Sequence, residues 1–136
     1  MAPELIDIQV LAGGWKFVLM EKIEGKTLYE LYSSSPRATQ KQKSVIQQKL
    51  KKAVSHMNHQ NFVHGDLRTP NIMIREAEIT SSSPTPIILD FDWAGTEGIV
   101  KYPSHLNPNA NWPISVKPFT PIKNAHDEEM VNNLFC

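Results

Sequence analysis

His64-Gly65-Asp66-Leu67-Arg68-Thr69-Pro70-Asn71-Ile72-Met73-Ile74 is the stretch that decides how this chain is read. A loop carrying Asp66, Arg68 and Asn71 runs directly into the apolar run from Ile72 to Ile74. After a polar connection from Glu76 to Pro86, containing three consecutive serines, a second apolar run follows, Ile87-Ile88-Leu89, ending in Asp90-Phe91-Asp92. Two short apolar runs around a polar loop predict a hairpin. If they pair, Asn71 at the start of one strand and Asp90 at the end of the other emerge at the same edge, with Asp66 on the incoming loop. That would gather hard oxygen ligands of the kind magnesium prefers, with substrate phosphates completing its shell. A carboxylate outside the metal shell can take a proton from an attacking hydroxyl. Singly, each residue has a structural explanation, since Asp and Asn at strand ends are ordinary turn formers; it is their combination that points to chemistry.

Upstream, Thr39 with Gln42 three residues later forms a capping-box pattern. Ile46, Leu50, Ala53, Val54 and Met57 then recur at spacings of 4, 3, 1 and 3, which predicts a helix over Gln40–His59. Lys41, Lys43, Lys49, Lys51 and Lys52 fall on its other side and read as a solvated face. Thr27 is a candidate cap for a short helix through Tyr32, stopped by Ser33-Ser34-Ser35-Pro36, while Glu24-Gly25-Lys26 reads as a break. Nearer the N-terminus, IDIQVL and WKFVLMEKI flank Ala12-Gly13-Gly14 and predict an antiparallel hairpin over residues 6–23. Downstream, five of the ten prolines lie between Pro103 and Pro121. That segment has no regular period and is expected to be irregular but ordered, pinned by Tyr102, Leu106, Trp112 and Phe119. A last short helix is expected from Asp127, with Met130, Val131 and Leu134 on one side.

Composition limits the function classes. The chain has 136 residues, 40% of them hydrophobic, and 14 Lys+Arg balance 14 Asp+Glu. This suits one domain at most. Zero net charge without a basic cluster disfavours a dedicated nucleic-acid binder, and the short apolar runs exclude a membrane-spanning helix. Cys136 is the single cysteine, so an internal disulfide and a cysteine zinc site are both excluded. MAPELIDIQV does not read as a secretory signal, and a reducing intracellular setting, the cytoplasm, is expected. His56, His59 and His64 could bring imidazoles together, yet lack the closed set that zinc wants. Ser81–Ser83 read as a solvated loop, and Trp15, Trp93 and Trp112 as loop anchors, because no basic stripe accompanies them.

His64-x-Asp66-x-x-x-x-Asn71, followed by an apolar strand and Asp90-Phe91, resembles the catalytic and metal-binding loops of the protein-kinase-like superfamily. ILDFDWAG is similar to the metal-binding loop, with Asp92 where most protein kinases have glycine. The His-Gly-Asp form is more similar to the aminoglycoside and choline phosphotransferase branch. DFDWAG with the Tyr-Pro, Asn-Pro and Trp-Pro stretch resembles kinase-like proteins of fungi. WKFVLMEKIEGKTLYEL is similar to the family's fifth strand, hinge and following helix.

The resemblance implies an α+β fold: a kinase-like C-terminal lobe with an N-terminal two-stranded hairpin, a long helix, a second short hairpin carrying the site, and an irregular Pro-rich segment. It divides a partial kinase-like domain, 1–136, into hinge strands (6–23), helices (27–60), catalytic loop and strand (61–76), metal-binding loop (87–95), and an activation-segment-like region with the final helix (96–136). It implies an ATP- and Mg2+-dependent phosphotransferase. Asp66 would be the base, Arg68 a positive group near the transferred phosphoryl, and Asn71 and Asp90 the magnesium ligands. The Glu21–Ile23 hinge would offer backbone groups to adenine, His64 would support the loop, and Asp127 would tie the loop down. The partners implied are a nucleotide and a phosphoryl acceptor, protein or small molecule; the oligomeric state is left open.

Departures from the family's pattern point the other way. The residues ahead of the hinge contain no G-x-G-x-x-G and no V-A-I-K-like lysine, and Lys16 sits too close to the hinge strand to substitute. The sequence therefore reads as the middle of a kinase domain, and a catalytically silent, truncated module acting only in binding is the alternative.

Overall fold

The computed structural model describes residues 1–33 and 37–136. The N-terminal hairpin forms as expected: β1 (Leu5–Val10) and β2 (Lys16–Met20) pair antiparallel, Ile8 opposite Val18 and Gln9 opposite Phe17, around an Ala12–Gly14 turn. Every residue of both strands is exposed.

The chain then enters β3 (Gly25–Thr27), where the sequence reads as a break. β3 lies antiparallel to β5 (Ile72–Arg75), which pairs on its other side with β6 (Ile87–Ile88), giving a three-stranded sheet ordered β3-β5-β6. The glycine that made this segment look like a break is what lets it pair. A Cβ at Gly25 would lie 2.1 Å from the carbonyl oxygen of Ile74. β5 alternates buried Ile72 and Ile74 with half-buried Met73 and Arg75, so one face of the sheet supplies core.

α1 (Leu28–Ser33) follows at once. Thr27 Oγ1 accepts from the Glu30 amide at 3.2 Å, and the Glu30 carboxylate accepts from the Thr27 amide at 2.7 Å, a reciprocal cap. The expected stop lies, beyond Ser33, outside the described residues. α2 runs Gln40–His59, with the Thr39–Gln42 capping box in place. Ile46, Leu50 and Val54 are buried along one stripe, each side chain contributing about 1.5–3 kcal/mol by leaving water. The opposite face is not wholly solvated: Lys49 Nζ donates to the carbonyls of Ser83 and Pro84 at 2.9 and 3.1 Å, and Gln42 Nε2 donates to those of Ile79 and Ser81. Two side chains of α2 thus fasten the 79–85 connection, because its carbonyls would otherwise lack donors.

β4 (Phe62–Val63) pairs with β7 (Gly95–Thr96), closing the start of the 61–76 segment against the residues after Asp92. The Pro-rich segment is irregular apart from a bridge between Lys101 and Pro121. Buried Tyr102 and half-buried Leu106 and Trp112 pin it to the core, as expected. Phe119 does not: it is 67% exposed on left-handed backbone, φ 63°, at a turn. Trp15, expected as an anchor, is 75% exposed at the hairpin turn. α3 (Asn124–Asn133) begins three residues before Asp127 and packs Met130 and Val131 into the core beside α2. Among the described residues no helix is long and apolar enough to cross a membrane. The whole is an α+β arrangement of small antiparallel sheets around a long helix, consistent with a kinase-like lobe.

Candidate active site

The loop from His64 to Asn71 is fixed from beneath by one buried carboxylate. Asp127, on α3, accepts the His64 amide on Oδ2 at 2.7 Å and the Gly65 amide on Oδ1 at 2.8 Å. Burial pushes its carboxyl up to about 6, against the lowering pull of those two amides. His64 is fully buried. Its Nδ1 accepts the Asp66 amide at 3.2 Å, so the proton sits on Nε2, which donates to the Leu89 carbonyl at 2.9 Å. Burial holds the His64 pKa below the usual imidazole value, in keeping with this neutral form. The ring also meets Phe91 edge-on at 4.8 Å. His64 thereby joins the 64–71 loop to the segment carrying Asp90.

Asp66 presents a carboxylate whose side chain is 8% exposed. Arg68 grips it with both arms of its fork: Nε meets Oδ1, and an Nη donates to Oδ2 at 2.9 Å. Asn71 Nδ2 donates to the same Oδ2 at 2.9 Å and to the Asp66 carbonyl at 3.0 Å. A carboxylate has about four acceptor positions. Three are taken, and the remaining one is on Oδ1.

With its amide nitrogen committed to Asp66, Asn71 has its side-chain oxygen as the group left for a cation. Its backbone carbonyl accepts the Leu89 amide at 2.8 Å, which brings the next residue, Asp90, to the same edge. Asp90 is exposed on left-handed backbone, φ 60°, and its carboxylate makes no hydrogen bond or ion pair among the described residues. An amide oxygen and an unengaged carboxylate are hard donors, which fits magnesium shared with phosphate oxygens. The histidines form no such site: His56 and His59 are exposed, His64 is committed to Leu89, and no group of three metal-ligating side chains occurs among the described residues.

At the hinge, the Glu21 amide donates to the Glu4 carbonyl at 2.8 Å and its carboxylate pairs with Arg75 at 2.8 Å. The hydrogen bond from Arg75 holds the Glu21 carboxyl below its ordinary range. The Glu21 carbonyl and the Ile23 amide carry no backbone bond among the described residues. Beside the 64–71 loop a cleft of about 500 Å³ is lined by Arg68, Thr69, Tyr29, Asn107, Asn109 and Asn133, among others. The Asn-rich part of that lining lies in the Pro-rich segment, whose sequence has no regular period to mark it.

Comparison with known proteins gives two findings. Residues 9–81 match the RIO domain, a span that takes in the hinge, α2 and the Asp66–Asn71 loop. A serine/threonine-protein kinase dkf-2 of Caenorhabditis briggsae is 30% identical over 100 residues, 68% of this chain; the chain spans 8% of that protein's length.

Proposed function

The chain belongs to the RIO domain family, within the protein-kinase-like superfamily, and from that premise we propose that it carries the catalytic and metal-binding half of an ATP- and Mg2+-dependent phosphotransferase. The observation that carries this reading is the division of labour between two aspartates. Asp66 is almost buried and oriented by Arg68 and Asn71, whereas Asp90 stands exposed and unengaged one residue beyond the Asn71–Leu89 hydrogen bond. A base must be held in one geometry; a metal ligand must be open.

In this reading the acceptor hydroxyl donates to the open position on Asp66 Oδ1. As the hydroxyl oxygen bonds to the γ-phosphorus, the bond from that phosphorus to the bridging oxygen breaks, ADP leaves with the electron pair, and the hydroxyl proton passes to the Asp66 carboxylate. Asn71 Oδ1 and Asp90 would hold Mg2+, which when bound offsets negative charge on the phosphate oxygens. Arg68 keeps a positive charge beside the transferred phosphoryl, and the Glu21 carbonyl and Ile23 amide would take the adenine edge. Residues 61–76 serve as catalytic loop and strand and 87–95 as metal-binding loop, while 96–136 form the activation-segment-like region. The acceptor enters from the cleft beside Arg68. It is a protein hydroxyl if the chain acts as the nematode relative's name says of that protein, and a small-molecule hydroxyl if the His64-Gly65-Asp66 form carries its branch's preference.

Titrating ATP into the purified chain, with and without magnesium, tests the reading by 31P NMR. The residues ahead of Glu21 contain no G-x-G-x-x-G, and their one lysine, Lys16 on β2, does not sit in a V-A-I-K-like run. Affinity is therefore expected no tighter than about millimolar, about −4 kcal/mol. The binding should require magnesium, disappear in Asp90→Asn and persist in Asp66→Asn. Equal loss in both variants, or no magnesium-dependent binding at all, would overturn the assignment and leave the catalytically silent binding module as the better account.

A further inference from the structure

The Arg68 guanidinium that holds Asp66 is itself held from its other side. Its Cζ lies 4.6 Å from the ring centroid of Trp112. That indole is 6.0 Å from Trp93, tilted by 31°, and 6.2 Å from Tyr102, while Trp93 and Tyr102 meet edge-on at 6.0 Å. The trio is anchored at its ends. Trp112 Nε1 donates to the Asn107 carbonyl at 2.9 Å, and the buried Tyr102 hydroxyl bonds His126 Nδ1 at 3.1 Å. The indole therefore has one orientation, fixed by a hydrogen bond at its edge and by rings behind it.

An arginine side chain left to itself samples many rotamers, and a partly exposed ion pair does little to select one. A guanidinium centred over an indole face loses much of that freedom, and its attraction to the π face grows as water is removed. We propose that Trp112 is a positioning residue for the base: its ring face holds the Arg68 guanidinium in place so that both arms of the fork meet Asp66 and the open acceptor position stays on Oδ1. The significance of that position rests on the reading of Asp66 as the base; the stacking itself does not. Because the same indole touches Trp93, three residues beyond Asp90, the Pro-rich segment also carries a shared support for the loops that hold base and metal ligand.

The test is made on the 136-residue chain without nucleotide, so its failure is distinct from failure of the ATP titration. The readout is the Arg68 Nε–H resonance in 1H–15N spectra. In Trp112→Leu it should lose its ring-current displacement and exchange with water about tenfold faster, as the fork opens from Asp66 more often. Trp112→Phe should restore part of the displacement, and Trp15→Leu, at the exposed hairpin turn, should leave it alone. Arg68→Lys keeps the charge without the planar fork and should move the Trp112 indole N–H signal but not that of Trp15; this variant decides the matter if Trp112→Leu does not fold. An Arg68 resonance unchanged in folded Trp112→Leu, or a Trp112 signal unmoved in Arg68→Lys, would overturn the proposal.

Discussion

The N-terminal hairpin and the three-stranded sheet are built from similar sequence and meet opposite fates. In β5, Ile72 and Ile74 point inward and are buried. In β1 the same alternation puts Ile8 and Val10 on one face with Val18, yet Ile8 remains 53% exposed and Val10 75%. Alternation states which face of a strand is apolar, not whether anything lies over it. The sheet has α1 and α2 packed on it, and the hairpin has no such layer among the described residues. A two-stranded sheet is marginal without a partner face, so the two regions should answer very differently to substitution.

The largest contrast is in truncation of the core. Leu50→Ala, at a fully buried position on α2, should lower unfolding free energy by about 2–5 kcal/mol in a urea titration. The next concerns Asp127 and is read as a pH dependence. Its carboxyl has a folded pKa of about 6 against an ordinary 3.8, so the folded chain holds this proton more tightly than the unfolded one. The stability this contributes is complete below about pH 4 and is lost as pH rises through about 6. Relative to Asp127→Ala, which lacks this group and shares the others, the native chain should lose on the order of 3 kcal/mol between pH 4 and pH 7. A parallel pH profile for the two proteins would show that the amides of His64 and Gly65 outweigh the burial of Asp127. The smallest effect belongs to the hairpin: Ile8→Thr or Val10→Thr should change core stability by no more than about 0.5 kcal/mol while reducing self-association in sedimentation, since both side chains are exposed. A hairpin substitution costing as much as Leu50→Ala would break the comparison.

What the sequence disclosed depended on the length over which a signal repeats. α2 and its cap were legible to the residue, because five apolar positions and a Thr39–Gln42 pair agree over twenty residues. β4 and β7 were not, since two-residue strands have no period to detect. β3 was hidden by Gly25, whose value is a close backbone approach that only the paired strand reveals. The approach of Asn71 and Asp90 to one edge followed from strand pairing, but the grip of Arg68 on Asp66 did not, because both residues lie in an irregular loop with no period to place their side chains. Phe119 was misplaced for a similar reason: apolar composition in an irregular segment does not say which ring turns inward, and left-handed backbone sends this one to solvent.

The ion pair between Glu21 and Arg75 fastens the hinge at the base of the hairpin, with both side chains about a third or more exposed. Measured from that pivot, the five residues of β2 make a lever arm about 16 Å long. A swing of about 10° at Glu21 would carry the hairpin tip some 3 Å, roughly one strand residue's rise, while leaving the Glu21 carbonyl almost where it was. Dissolved salt weakens a contact this open to water, so high ionic strength loosens the tie between hairpin and β5, and any displacement that permits is least at Glu21 and greatest near Trp15.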